Sequence, residues 1–129
     1  MIKLGERLAG VVKSPCLIEL VGDVGVGKTT FVKGLAKGLG VSENITSPSF
    51  TINKRYEGDV VLSHYDFYRL DDAGIMKDEI TEALGEPGVV VVVEWADAVR
   101  GALPRERIKV NMSYNHDGSR MVVVEGVEL

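Results

Sequence analysis

The chain has 129 residues, of which 45% are hydrophobic and 26% are charged. This composition predicts one soluble globular domain over residues 1–129. The formal net charge is −4, and no cluster of lysines and arginines stands out, so we expect contact with nucleic acid to pass through a partner. No apolar run approaches a membrane span, no secretory signal is visible, and the single cysteine, Cys16, fits a reducing cytoplasm.

The first third of the chain predicts a helix, a strand, a glycine-rich loop and a second helix. Apolar residues at helical spacing predict an amphipathic helix over residues 2–13, which ends before Pro15. The apolar run at residues 16–21 predicts a buried strand. After the loop, a second periodic apolar stretch predicts a helix that ends near residue 39, where glycines follow.

The rest of the chain predicts hairpins at both ends of a buried strand. The predicted strands are Ser49–Arg55, Val60–Tyr65, Val89–Val93, Arg107–Met112 and Met121–Glu125. Short helical segments are predicted at Ile75–Leu84 and Ala96–Gly101. Because Val89–Val93 is five valines in a row, we expect that strand to be covered on both faces, as in a parallel sheet under helices. The pattern therefore predicts an α/β sandwich with a mixed sheet.

The loop between the first strand and the second helix carries a phosphate-binding pattern. Residues Gly22–Thr29 read G-x-x-x-x-G-K-T, the P-loop motif. Its glycines let the backbone approach a ligand closely, so that the N–H groups of residues 24–29 can form an anion nest at a helix N-terminus. We expect Lys28 to contact the β- and γ-phosphates and the Thr29 hydroxyl to bind Mg²⁺.

Hydrolysis of a bound nucleotide needs acidic side chains near the P-loop, and two are candidates. Glu94 directly follows the five valines, where an apolar strand typically ends in an acid beside the P-loop strand. Asp66 lies among aromatic residues and needs a partner if it is buried. We expect both to help hold Mg²⁺ or order water. His64 shares a strand face with Asp66, and we interpret it as a core or edge histidine.

Two other features leave alternatives open. The hydroxyl-rich stretch Thr46–Phe50 fits either a switch loop that reaches the γ-phosphate or a plain loop. Trp95 fits core packing, a wall of the site or a partner contact. The chain has no Asn-Lys-x-Asp motif for guanine and no insertion long enough to be an obvious kinase lid. Small size and missing guanine recognition therefore favour a compact ATPase.

Four motifs, in this order and at these spacings, resemble the bacterial TsaE (YjeE) family. They are Gly22–Thr30, Ser47-Pro48-Ser49-Phe50-Thr51, His64-Tyr65-Asp66-Phe67-Tyr68-Arg69-Leu70 and Val93-Glu94-Trp95. The P-loop is shared by many families, whereas the H-x-D-x-Y-R and V-E-W elements are far more specific in combination. The resemblance runs from about Leu4 to Arg120. TsaE proteins are the ATPase component of the machinery that makes threonylcarbamoyladenosine in tRNA.

This resemblance implies a P-loop NTPase-like sandwich with a central mixed, mainly parallel sheet of about six to seven strands. It implies ATP and Mg²⁺ as cofactors, with Thr29 and Glu94 as metal ligands and Asp66 as an essential acid of the nucleotide site. The implied nucleotide-binding residues are Gly22, Asp23, Gly25, Val26, Gly27, Lys28, Thr29, Thr30 and Arg120. The loop at residues 47–51 would be the switch. Family members hydrolyse ATP slowly alone and act on the TsaB–TsaD heterodimer, so tRNA is contacted indirectly.

The sequence departs from the family pattern at two places. Position 49 is Ser where the family usually has Thr, so the hydroxyl remains without the methyl group. The family also has a leading strand and a threonine just before its first Leu-Gly, whereas here that threonine position falls on Met1. We therefore expect the sheet to lose an edge strand and the nucleotide to lose one base-side or ribose-side contact. A small-molecule or nucleoside kinase and a nucleotide-sensing module without turnover stay as alternative functions.

Overall fold

A computed structural model describes residues 1–23, 25–42, 45, 53–67, 74–95, 101 and 103–129. Its elements in chain order are α1 (Ile2–Ala9), β1 (Cys16–Val21), α2 (Lys28–Gly38), β2 (Asn53–Glu57), β3 (Val61–Asp66), α3 (Gly74–Leu84), β4 (Val89–Glu94), β5 (Ile108–Tyr114) and β6 (Arg120–Glu125). Several sequence predictions lie wholly or partly outside the described residues. They are the hydroxyl-rich stretch at 46–50 and the switch loop at 47–51, residues 49–52 of the predicted strand Ser49–Arg55, the segment 68–70 of the aromatic motif, and most of the helical turn at 96–101.

The described strands form one six-stranded sheet in the order β2-β3-β4-β1-β5-β6. The central strands β3, β4, β1 and β5 are parallel, and the edge strands β2 and β6 pair antiparallel with their neighbours. This arrangement confirms the predicted α/β fold with a mixed, mainly parallel sheet. Because parallel strands end at the same edge of a sheet, the carboxyl ends of β1, β3 and β4 are brought together.

Helices cover both faces of the sheet, and each face has its own apolar core. On one face, α2 packs Phe31 and Leu35 into a cluster with inward-facing residues of β1, β4 and β5. On the other face, Ile80 of α3 packs in a cluster with Leu17, Tyr65 and Phe67. The five valines of β4 divide between the two clusters and are all fully buried. The prediction that this strand is covered on both faces is therefore confirmed.

The first helix packs on the P-loop helix through glycines. A Cβ atom at Gly34 would lie 2.0 Å from the carbonyl oxygen of Ile2, and one at Gly5 would lie 2.3 Å from that of Phe31. Larger residues at these two positions would force α1 and α2 apart. This close approach fixes α2, and with it the P-loop, against the start of the chain.

Several element ends differ from the sequence predictions. Helix α1 ends at Ala9 instead of residue 13, because the N–H groups of Val11 and Val12 both turn back to the carbonyl of Leu8. Four strands extend beyond their predicted ends: β2 to Glu57, β3 to Asp66, β4 to Glu94 and β5 to Tyr114. In each of them, pairing with a neighbouring strand continues past the predicted end. No helix among the described residues has the length and apolarity needed to cross a membrane.

Candidate nucleotide-binding site

The P-loop connects β1 to α2, and its backbone takes conformations that its glycines allow. Gly25 has φ +83° and Gly27 has φ +118°, in the region that side chains with a Cβ atom rarely adopt. Gly27 caps α2, so the exposed N–H groups of the helix start face the loop. A Cβ atom at Gly27 would lie 3.2 Å from Met1 Cγ and 3.3 Å from Arg120 Nη1. The guanidinium of Arg120 therefore lies beside the loop, at the position where the family resemblance implies a nucleotide contact.

Two contacts anchor the loop to the sheet. The side chain of Val26 is fully buried in the core under α2, and its N–H donates to the carbonyl of Asp23 over 3.2 Å. The hydroxyl of Tyr114, at the end of β5, donates to the carbonyl of Gly25 over 2.8 Å. Sequence reasoning missed Tyr114, since β5 was predicted to end at Met112. An aromatic residue two positions beyond an alternating strand was the signal available.

Lys28 is the first residue of α2, and its side chain points into the site. Its Nζ donates to the carbonyl of Gly22 over 2.6 Å and lies 3.8 Å from Glu94 Oε1. Burial lowers the pKa of Lys28, while the charges of Glu94, Asp66 and Asp23 act in the opposite direction. An ammonium carries three donors and the bond to Gly22 uses one of them. Lys28 thus presents a desolvated positive charge at the mouth of the anion nest.

The two candidate acids lie side by side at the carboxyl ends of adjacent parallel strands. Asp66 ends β3 and Glu94 ends β4, and the two residues are register partners. Glu94 is buried, whereas Asp66 is half-buried. Because both charges act on Lys28, both acids lie near the P-loop lysine. The sequence placed each acid after a strand, and the pairing of β3 with β4 brings them together.

His64 holds one oxygen of Glu94. Its Nε2 lies 2.6 Å from Glu94 Oε2, and its ring is fully buried. Among the buried polar side-chain atoms that the structure describes, Nδ1 of His64 has no hydrogen-bond partner. The interpretation of His64 as a core histidine was therefore correct about burial. It missed the contact with Glu94, because the two residues are thirty positions apart and meet through strand register.

Trp95 forms a wall of the site. The Lys28 ammonium lies 4.1 Å from the centre of its ring, within the range of a cation–π interaction. Trp95 has φ 54°, a positive value that residues other than glycine rarely adopt. Such backbone strain tends to occur at functional sites. This turn directly after β4 brings the indole back over the P-loop lysine. Of the three alternatives left open for Trp95, the structure supports the wall of the site.

The remaining predicted site residues lie around this centre. Gly22 follows β1, and a Cβ atom there would lie 2.8 Å from Val26 Cγ1, so the position has no room for a side chain. Asp23 and Thr30 are exposed, and Thr29 is half-buried in the first turn of α2. No group of three or more histidine, cysteine or acidic side chains that could hold a metal occurs within the described residues. Mg²⁺ in nucleotide sites usually takes one or two protein ligands together with phosphates and water.

The arrangement fits a bound nucleotide with its metal ion. Open space lies beside the Cα of Gly25, where a Cβ atom would meet nothing within 4 Å. The nest, the helix N-terminus, Lys28 and Arg120 supply positive potential for phosphates. Thr29, Glu94 and Asp66 carry oxygen atoms of the kind that binds Mg²⁺, and Asp66 is the register partner of Glu94. Chemically, such a site can bind a nucleoside triphosphate and stabilise charge at its terminal phosphate.

Comparison with known proteins gives a consistent result. The model of the family "Threonylcarbamoyl adenosine biosynthesis protein TsaE" matches residues 1–122. A tRNA threonylcarbamoyladenosine biosynthesis protein TsaE from Bacillus subtilis (strain 168) is 38% identical over 127 residues, which cover 96% of this chain and 78% of that protein. The protein of the same name from Treponema pallidum (strain Nichols) is 36% identical, with coverage of 93% and 89%.

A solved structure agrees with these relatives. The crystal structure of YdiB from Bacillus subtilis superposes with a TM-score of 0.77 at 33% identity, covering 94% of this chain and 74% of that one. The sequence match thus extends over nearly the whole chain, and the fold match includes the sheet that carries the P-loop and both acids. The chain belongs to the TsaE family of threonylcarbamoyl adenosine biosynthesis proteins.

Proposed function

We propose that the protein is a Mg²⁺-dependent ATPase that supports threonylcarbamoyladenosine modification of tRNA. The observation that carries this proposal is the meeting of three charged groups beside one P-loop. Lys28 lies 3.8 Å from Glu94 Oε1, and Asp66 is the register partner of Glu94 on the adjacent strand. A loop that merely bound phosphate would need the lysine and the nest but neither acid. Two carboxylates near the P-loop lysine are suited to ordering Mg²⁺ and water for hydrolysis.

In this proposal, a water molecule attacks the γ-phosphorus of ATP. A new P–O bond forms to the water oxygen, the bond from the γ-phosphorus to the bridging oxygen breaks, ADP leaves, and the proton given up by the water passes to solvent. Lys28 and the N–H groups of the loop stabilise the charge on the phosphate oxygens. Asp66 orients the attacking water. Thr29 and Glu94 would hold Mg²⁺, which when bound would supply positive charge beside the terminal phosphates.

The partner of this ATPase is proposed to be the TsaB–TsaD heterodimer. The relatives from Bacillus subtilis and Treponema pallidum are named tRNA threonylcarbamoyladenosine biosynthesis proteins, which supports a role in the same modification. The net charge of −4 disfavours direct binding to tRNA, so tRNA is contacted through the partners. The proposal places the protein in the cytoplasm, where that machinery meets tRNA. Turnover is slow without the partners and rises with them.

An assay of phosphate release tests this function. The protein is incubated with ATP and Mg²⁺, alone and with the TsaB–TsaD pair, and free phosphate and modified tRNA are measured. We expect slow release alone, faster release with the pair, and threonylcarbamoyladenosine only when all components are present. Transfer of the γ-phosphate to a small acceptor would indicate a kinase instead. Nucleotide binding with no phosphate release in any mixture would indicate a sensing module.

A further inference from the structure

A buried histidine lies beneath the acid that the proposed function assigns to Mg²⁺. His64 on β3 and Glu94 on β4 face the α2 side of the sheet, and their side chains meet with 2.6 Å between Nε2 and Oε2. The imidazole is completely buried and Glu94 is 3% exposed. His64 therefore touches the carboxylate from inside the protein, on the side away from solvent.

The unpartnered atom of the ring fixes the direction of this hydrogen bond. A proton must lie between Nε2 and Oε2, and the ring's other nitrogen, Nδ1, has no partner although it is buried. If Nδ1 carried a proton, a buried N–H would lack an acceptor, which is more costly than a bare lone pair. The arrangement with the lowest cost is a neutral ring whose Nε2–H donates to an ionised Glu94.

The two oxygens of Glu94 consequently have different partners. Oε2 accepts from His64, and Oε1 lies 3.8 Å from Lys28 Nζ on the P-loop side. A carboxylate held at one oxygen cannot rotate freely, so its other oxygen keeps a fixed direction. That direction is toward the lysine at the phosphate site.

We propose that His64 is a positioning residue that orients Glu94 for Mg²⁺. It does so through the Nε2–H hydrogen bond, without touching nucleotide or metal. The inference rests on the proposed function, because it takes Glu94 as a metal ligand. Outer partners of metal ligands commonly change metal affinity by about ten- to a hundredfold when they are removed. We expect His64 to act mainly on the Mg²⁺ requirement and to leave metal-free nucleotide affinity nearly unchanged.

Three variants test this inference through binding of ADP at a series of Mg²⁺ concentrations, measured by isothermal titration. His64→Leu removes the donor at similar size, and His64→Gln keeps an N–H donor of similar reach. His116→Gln is the matched control, since His116 lies in the exposed turn between β5 and β6. We expect His64→Leu to need about tenfold more Mg²⁺, His64→Gln to restore most of the wild-type response, and the control to match wild type.

A second measurement, on protein that keeps His64, makes the inference testable even if His64→Leu fails to fold. Nitrogen-15 NMR reports which ring nitrogen of His64 carries the proton. The His116→Gln protein is used for it, because His64 is then the only histidine in the sequence. We expect the Nε2–H tautomer of a neutral ring. A proton on Nδ1, or a folded His64→Leu protein with the wild-type Mg²⁺ response, would overturn the role of His64 alone. If the ADP affinity of the wild-type protein did not depend on the Mg²⁺ concentration, the proposed function would be overturned as well.

Discussion

Two buried glutamates lie at neighbouring heights in the sheet but on its opposite faces. Glu19 on β1 is in register with Val93, and Glu94 on β4 is in register with Leu20. Glu19 faces away from α2 and accepts a hydrogen bond from Arg107 Nε over 2.9 Å. Glu94 faces α2 and lies 2.6 Å from Nε2 of His64, with the Lys28 ammonium farther away at 3.8 Å.

The two glutamates differ in their partners, and this difference distinguishes a structural acid, Glu19, from the acid that we propose binds Mg²⁺, Glu94. The guanidinium of Arg107 neutralises Glu19 at hydrogen-bond distance, and it also donates to the carbonyl of Pro104 over 3.0 Å. That charge is satisfied within the fold. Glu94 has the imidazole of His64 on one oxygen, and its other oxygen forms an ion pair with Lys28 at 3.8 Å without a hydrogen bond. In the proposed function, this second oxygen is the one left for a cation beside the P-loop.

The largest effect on stability is expected at the structural acid. Glu19→Gln should lower the free energy of unfolding by about 3 kcal/mol. This value is at the low end of the range for breaking a buried ion pair, because the Arg107 side chain is partly exposed. Nucleotide affinity should stay within about twofold of wild type, since the substituted residue lies on the face of the sheet opposite α2 and the P-loop lysine. Denaturant unfolding and nucleotide titration measure the two quantities. Glu106→Gln, at an exposed position, is the control. A large loss of nucleotide affinity in Glu19→Gln would contradict the assignment of Glu19 to structure alone.

The next largest effect is expected at the P-loop lysine. Lys28→Ala should weaken ATP binding by about a hundredfold, because charge-assisted hydrogen bonds to phosphate are lost from a desolvated site. Titration with a fluorescent ATP analogue measures the affinity, and circular dichroism checks the fold. Lys33→Ala removes an exposed lysine of the same helix and should bind normally. Normal affinity in Lys28→Ala would show that the phosphate site lies elsewhere.

The smallest effect is expected at the tether of the loop. Tyr114→Phe removes the hydroxyl that donates to the carbonyl of Gly25. A neutral, solvent-exposed hydrogen bond contributes little, so nucleotide affinity should fall by about two- to threefold with stability unchanged. The same titration measures it, with Val123→Ala on the exposed face of β6 as the control. Unchanged affinity would mean that the loop keeps its shape without this bond.

Local patterns in the sequence predicted the parts of the site that follow directly from chain order. The P-loop motif predicted Lys28 at a helix start. The five valines predicted β4 and, directly after them, an acid at the end of a buried strand, Glu94. Binary patterning also predicted the two hairpins that close the sheet. These features depend on neighbours a few residues apart. The structure agrees with them at the level of element type and order.

Contacts between distant residues could not be predicted in the same way. The pairing of His64 with Glu94 depends on the register of β3 against β4, and the bond from Tyr114 to Gly25 joins residues 89 positions apart. The ion pair of Glu19 and Arg107 spans 88 positions. The five identical valines of β4 are buried on both faces, so their own pattern does not specify the register of β4 against β3. The early end of α1 at Ala9 likewise depends on how the chain turns back at Leu8.

Phosphate release by the Glu94→Gln protein tests the central claim that the α2 face of the sheet is an ATP-hydrolysing site. The change removes the charge but keeps an oxygen for His64, so the free energy of unfolding should change by less than about 1 kcal/mol. With the TsaB–TsaD pair present, we predict that turnover falls by roughly two orders of magnitude, the scale of losing one preorganised charge at a reacting centre. Wild-type turnover in the folded Glu94→Gln protein would contradict the account.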